Sequence, residues 1–534
     1  MSKKCSNPIL PGFYPDPSIC RAGKDYYLVT SSFTYFPGVP VFHSRDLANW
    51  EQIGHVLNRE SQLPLVGLPH SEGIYAPTIR YHNGVFYMIT TNMPGCHNFL
   101  VTAKHPEGPW SDPFDLGPEA KGIDPSLFFD DDGTCYYVGQ RERTGGGTYN
   151  GDCEIWLRRL NLETMQLEGG ESILAYGYSR HAIWPEGPHL YKIGEYYYLM
   201  HAEGGTAEDH CEMIARSKQL RGPYEYKISN PILTHRHLGS SYPISCVGHA
   251  DLVDDGEGNW YLVTLACRPS EGHTLMGRET FLAKVVWEND WPVVSPGTGV
   301  LQDELELPGD EDEQVSFAEA CGSLSLDFKE ETLPVEMTSL REPLEEACRI
   351  LPERGVLQLE LKRETIRDEA SPSYLCVHQH RKHFMAETEV QLQGCAEKEA
   401  DVCAGLVYMQ NNSEYLQLTG GMVQGKPVVR VRECVKGREK DLAVINLEHT
   451  AAPGTLPEGT ELRLHIDDLK ASCFWRTAGT KDWQKAAEEI DLRHMSTESC
   501  WGFTGCTVGL YASANGTHTE GCAEFKKLQI AEDR

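Results

Sequence analysis

What this 534-residue chain lacks narrows its possible functions before any motif does. It has no run of about 18 apolar residues, so no helix able to span a bilayer is expected. The N-terminal MSKKCSNPILPGF has two lysines but not the apolar segment of a secretory leader, and residence in the cytoplasm is expected. No Cys-x-x-Cys pair occurs among the 18 cysteines, which argues against a zinc cluster and, without a leader, for reduced thiols. Basic residues are few. The 48 Lys and Arg against 78 Asp and Glu leave a formal net charge of −30, which repels phosphate backbones and anionic lipid. Neither nucleic acid nor a membrane is expected as a partner. RTGGGTYNG is glycine-rich but lacks the Gly-Lys-Ser ending of a phosphate loop and reads as a loop insertion.

What is present is a globular composition, 40% hydrophobic and 24% charged, with length for two or three domains or one large all-β unit. Five segments align: SICRAGKDYYLV, TIRYHNGVFYMI, SLFFDDDGTCYYV, HLYKIGEYYYLM and DLVDDGEGNWYLV. Each reads as strand, tight polar turn, aromatic strand, which is hairpin chemistry. Their first residues, 18, 78, 126, 189 and 251, stand 60, 48, 63 and 62 apart, a blade-like period lengthened by loop insertions. Aromatics recur at matching outer positions, at Trp50, Trp110 and Tyr224. Hairpins that cannot bury a face alone close radially, so the sequence predicts a five-bladed β-propeller within residues 1–305.

Three acids sit at matching points of that repeat. Asp16, in PGFYPDPS, lies two residues before its first strand; Asp124 has the same offset in the third unit, and Glu186 lies three before the fourth. Prolines at 15, 17, 125, 185 and 188 stiffen the backbone around them. Equivalent positions of successive blades face one axis, so the three carboxylates are expected at one mouth. Like charges in a desolvated pocket push pKa values apart, which suits hydrolysis of a glycosidic bond by one acid and one base. For each acid alone the alternative is a turn cap. By contrast, Asp130, Asp131, Asp132, Asp254 and Asp255 fall in hairpin turns and are expected to be solvated.

Taken together, NPILPGFYPDPSI, SSFTYFPGVPVFHSRDLANWEQIG, GIYAPTIRY, GIDPSLFFDDDG, AIWPEGPHLY, GHADLV and GRETFLAKVVW resemble family 43 glycoside hydrolases, in the two-domain β-xylosidase branch. The resemblance implies an inverting exo-glycosidase with Asp16 as general base, Glu186 as general acid and Asp124 orienting the acid and raising its pKa. It also implies that Arg278 reaches the nonreducing sugar, with a surface ion pair as the alternative. Phe33 would be a wall of the sugar subsite, against a role in core packing. His249 would stand on the axis near a hydrated ion, in some relatives calcium, with no cofactor required. Where the branch has Trp this chain has Tyr75, a smaller ring with a hydroxyl in the sugar pocket.

Beyond residue 300 the acidic, Pro- and Gly-rich SPGTGVLQDELELPGDEDEQ reads as a linker, placed at 306–322. Alternating segments such as FMAETEVQLQ, PVVRVREC and LRLHIDDLKASCFWR then predict a β-sandwich over 323–534. By the same resemblance its CWGFTGC loop would close the active-site pocket with Phe503, the alternative being packing in the sandwich core. The implied activity is release of xylose from the nonreducing end of short β-1,4-xylo-oligosaccharides. The alternatives are α-L-arabinofuranosidase or dual activity, and, from another class, a noncatalytic carbohydrate-binding propeller. Relatives imply a homo-oligomer, dimer or tetramer.

Overall fold

Each of the five aromatic hairpins forms the inner half of an antiparallel blade. The computed structural model describes residues 2–309, 317–394, 401–449, 455–477 and 479–533. The innermost strands are Ser18–Ala22, Thr78–His82, Ile123–Phe129, Glu186–Ile193 and Ser245–Asp254, and they neighbour one another around a ring. Each pairs outward through two further strands to an outer one, for example Gly38–Ser44 and then Glu51–Leu57 in the first blade. The recurring outer aromatics do one job three times. Trp50, Trp110 and Tyr224 each donate to a carbonyl three or four residues earlier, at Leu47, Pro106 and Leu220, and so fasten the blade tail.

Among the described residues no strand is shared between the first and last blades. Their seam is closed by a backbone bridge between Leu10 and Thr280 and by side chains: the Ser18 hydroxyl and the Ile19 amide both donate to Oδ2 of Asp251, at 2.7 and 3.0 Å. Asn7 reaches the carbonyls of Leu282 and Gln302, and Gly12 donates to Glu279. On the axis, Arg80 pairs with Asp251 at 2.8 Å and donates to Nδ1 of His189, which also contacts Ser126, while Tyr191 donates to Asp251. Asp251, His189 and Ser126 are buried and Arg80 and Tyr191 half-buried, so the channel is plugged by a satisfied polar network.

The C-terminal domain is two packed eight-stranded antiparallel sheets around one apolar core that includes Leu406, Leu418, Leu464, Leu510 and Phe525. One of those sheets takes its edge strand from the propeller: Tyr35–Phe36 pairs with Thr338–Leu340, Phe36 opposite Ser339 and Tyr35 opposite Leu340. Around that junction Phe13, Phe33, Tyr35, Tyr374 and Tyr511 form a joint core, with Tyr75 and Phe503 against it.

Two expectations are altered. The stretch read as a linker is structured where it is described. Glu304–Pro308 is a strand paired with Ser2–Ser6, and the buried Phe317 packs against Tyr14 and Phe42; residues 310–316 lie outside the described residues. Of the turn acids, Asp131 and Asp132 are exposed as expected, whereas Asp130, Asp254 and Asp255 are less solvated. Asp130 is half-buried, accepting from Tyr197 and paired with Lys192 of the next blade, and Asp254 pairs with Arg21 across the seam. Among the described residues no helix is long and apolar enough to cross a membrane.

Candidate active site

The inner strands of blades three, four and five start earlier than the aligned hairpins, because each is interrupted by a register shift. The shifts fall between Ile123 and Ser126, between Glu186 and His189, and between Gly248 and Asp251. A bulge of this kind re-aims the side chain it carries. The residue two before the regular strand is left-handed in four blades: Asp16 (φ 55°), Asp124 (53°), Gly187 (57°) and His249 (53°). Non-glycine residues take that conformation rarely. The fifth equivalent position, in blade two, is Ala76. Glu186 precedes its left-handed residue by one, which accounts for its odd offset in the sequence.

The consequence is a single pocket of about 380 Å³, counted out to solvent at its mouth, lined by all eight residues singled out from the sequence: Asp16, Phe33, Tyr75, Asp124, Glu186, His249, Arg278 and Phe503. Ala76, Ile123 and Thr206 complete it. The three carboxylates are buried, at 6%, 6% and 8% exposure for Asp16, Asp124 and Glu186, too little for solvated turn caps.

Their environments differ. Oδ1 of Asp16 is 2.7 Å from Nη1 of Arg278 and 3.9 Å from Nδ1 of His249, and Oδ2 accepts from the Ser31 hydroxyl at 2.6 Å. Burial pushes the Asp16 carboxyl up, but Arg278, then His249 and Ser31, outweigh it and hold Asp16 below the ordinary carboxylate range. Among the described residues no cation or hydroxyl donates to the Glu186 carboxyl in this way. Burial, followed by the charges of Asp124 and Asp16, pushes it well above the ordinary range. Asp124 is raised too, by burial first and by Asp16, against the opposing pull of His249; its Oδ2 accepts from the amide of Gly187 at 3.0 Å, directly beside Glu186. One acid is therefore ionised where another keeps its proton, the division of labour that acid–base hydrolysis requires.

The aromatic wall spans both domains. Phe33 lies 5.3 Å from Tyr75 and 6.0 Å from Phe503, centroid to centroid, and Tyr75 lies 5.9 Å from Phe503. The Tyr75 hydroxyl donates to the Ser71 carbonyl, and the Ser71 hydroxyl accepts from the Phe503 amide, so the tyrosine is part of the tether that holds the sandwich loop. Nη2 of Arg278 donates to the Phe503 carbonyl, while its buried Nε has no protein partner among the described residues. Arg278 is thus a buried fork rather than a surface ion pair, and Phe503 faces the pocket rather than the sandwich core.

A calcium ion beside His249 fits these residues poorly. Calcium takes about six to eight oxygen ligands, whereas the groups around His249 are the ring nitrogens of His249 and His210 and three carboxylates already engaged elsewhere: Asp16 by Arg278 and Ser31, Asp124 by the Gly187 amide and Glu212 by the Ala250 amide. Among the described residues no three His, Cys, Asp or Glu side chains form a metal-holding group. The ring of His249 instead packs 3.0 Å from where a side chain on Gly187 would start.

Ser31, Ser71, Thr206 and Gly187 escaped the sequence reading. Only Gly187 carried a signal, its place beside an aligned acid. The others are small polar residues whose role depends on what the fold brings opposite them.

Comparison with known proteins agrees with this geometry. The model of glycosyl hydrolases family 43 matches residues 5–292, and that of the beta xylosidase C-terminal concanavalin A-like domain matches 325–531. A xylosidase/arabinosidase of Butyrivibrio fibrisolvens is 48% identical over 528 residues, covering 99% of each chain. A non-reducing end alpha-L-arabinofuranosidase of Bacteroides ovatus is 37% identical, covering 98% of this chain and 94% of its own. Among solved structures, a xylan beta-1,4-xylosidase from Bacillus halodurans superposes with a TM-score of 0.87 at 33% identity, covering 99% of this chain and all of that one.

Proposed function

The chain belongs to glycosyl hydrolases family 43, and on that premise we propose that it removes terminal xylose from the nonreducing end of short β-1,4-xylo-oligosaccharides with inversion. The observation that carries the reading is that two buried carboxylates of one pocket stand in opposed surroundings, Asp16 paired with Arg278 and Ser31 and held low, Glu186 beside the charges of Asp124 and Asp16 and pushed high. Glu186 donates its proton to the leaving oxygen. Asp16 takes a proton from the water that attacks the anomeric carbon on the opposite face. Asp124, fixed by the Gly187 amide, keeps Glu186 protonated through its charge and its position. The unpartnered Nε of Arg278 suits a sugar hydroxyl, and the rings of Phe33, Tyr75 and Phe503 suit the apolar faces of a pentose. Blockage of the axis behind the acids by Arg80, Asp251 and His189 favours chain ends over internal bonds.

α-L-Arabinofuranosidase activity is a second reading, supported by the names of the Butyrivibrio and Bacteroides relatives. Cytoplasmic residence belongs to the same proposal and rests on 18 cysteines without a paired spacing. A homo-oligomer rests on the family resemblance alone.

The test is proton NMR of xylobiose hydrolysis, with nitrophenyl arabinofuranoside assayed in parallel. α-Xylose appearing before mutarotation is expected; β-xylose first would replace inversion with retention, and nitrophenol without xylose would make the protein an arabinofuranosidase.

A further inference from the structure

We propose that Trp501 is a stacking platform for the leaving sugar, a specificity determinant that the sandwich domain holds outside the pocket. This inference rests on the exo-hydrolase reading above. Among the described residues Trp501 stands out twice. It is 75% exposed, which no other tryptophan approaches closely enough to count as an exposed large hydrophobic. Its backbone, at φ 57° and ψ 149°, lies near a region that glycine alone occupies without strain. A large apolar side chain kept in water on strained backbone contributes little to folding.

The rest of the loop accounts for how the strain is held. Glu498 accepts from both the amide and the hydroxyl of Thr274, at 2.8 Å each, and Ser496 contacts His273 at 2.9 Å. Cys506 donates to the Leu275 carbonyl, and Phe503 is tied to Ser71 and Arg278. Trp501 itself donates its amide to the Thr497 carbonyl at 2.9 Å. Propeller contacts thus bracket Trp501 on both sides in the sequence, and its ring lies 5.4 Å from that of Phe503, tilted by 55°. Phe503 lines the pocket and Trp501 does not, so the two aromatics lead from the enclosed site toward solvent. A substrate whose terminal unit fills the pocket must pass its remaining units outward through the mouth. The apolar C–H face of a pyranose ring next to the cleaved bond matches an exposed indole, as other flat apolar surfaces do.

The experiment compares wild type, Trp501→Gly and Trp501→Phe on xylobiose and on methyl β-xyloside, which has no leaving sugar. Trp501→Gly is expected to lower kcat/KM for xylobiose about tenfold, mainly through KM, and to change the methyl glycoside by less than about twofold. Trp501→Phe should recover most of the loss. Glycine accepts this backbone, so the variant should melt no lower than wild type; if it melts early, Trp501→Leu replaces it in the same comparison. Equal losses on both substrates would mean that Trp501 only props Phe503, and no loss on either would mean that it touches no sugar; both results overturn the platform. A wild-type protein inactive on both substrates would overturn the exo-hydrolase reading and the platform with it.

Discussion

Nη1 of Arg278 stands 2.7 Å from Oδ1 of Asp16, and both side chains are buried where the blades meet. The pair fixes the sign of a pH effect. Asp16 must be ionised to accept a proton, and Arg278 is the largest influence holding it low against burial. With Arg278→Ala, burial acts with less opposition and the Asp16 pKa rises. The acidic limb of the kcat/KM profile should therefore move to higher pH, on top of a large loss of activity. A limb that stays in place would sever Arg278 from the control of Asp16.

Glu186→Gln removes a proton donor while keeping the shape. Positioned general acids contribute about 100- to 10,000-fold, so hydrolysis of xylobiose should fall by that order. Nitrophenyl xyloside, whose leaving group needs no proton, should be spared far more. Loss of the same size on both would rule Glu186 out as the acid. Asp16→Asn, by contrast, should abolish turnover of both substrates.

The same Glu186→Gln variant should be more stable than wild type, but only above mildly acidic pH. The Glu186 carboxyl is raised in the folded protein, so between its unfolded and folded pKa values the folded state holds a proton that the unfolded state has released. Stability falls with rising pH across that window. Glutamine does not titrate, so the melting temperature at pH 8 should exceed wild type by at least about 2 °C, with the gain vanishing near pH 4. A gain independent of pH would show that charge is not its cause.

Gly187 has φ 57°, and a side chain there would start 3.0 Å from the ring of His249. Gly187→Ala must push His249 aside or unwind the bulge that aims Glu186. We expect kcat to fall at least about tenfold, since misplacement by an ångström can cost far more, with circular dichroism unchanged. Full activity would mean that the bulge is not needed to aim the acid.

Asp251 lies behind the pocket, paired with Arg80 and accepting from Ser18, Ile19 and Tyr191. Breaking such a buried pair costs about 3–5 kcal/mol. Asp251→Asn should lower the melting temperature by several degrees while leaving kcat/KM at 25 °C within a few-fold. An unchanged melting temperature would show that the blade seam does not depend on this carboxylate.

The fold was legible where chemistry repeats: aromatic strands, turn residues and fastening aromatics at Trp50, Trp110 and Tyr224 recur with each blade. The acids were legible as positions in that repeat, but their strands were read too short, because a bulge breaks the period-2 pattern at Asp124, Glu186 and His249. Asp130 was misjudged because its partners, Lys192 and Tyr197, come from another blade. The tether of Ser71 to Phe503 joins residues more than 400 positions apart and leaves no local trace. The span 306–322 looked unstructured from its acidity, yet the register of Glu304–Pro308 is set by the N-terminal strand, which no local composition announces.

The two-residue strand Tyr35–Phe36, lent by the propeller to the edge of a sandwich sheet, also bears on inheritance. A chimera that takes its C-terminal domain from a relative would receive a sheet whose edge was shaped against another first blade. Residues 33–36 and the sandwich therefore form one heritable unit, although some 300 positions separate them in the gene product. Recombination at the apparent boundary between the domains cuts through that unit, and a graft that leaves the short strand behind also separates Phe33 from the Phe503 it faces.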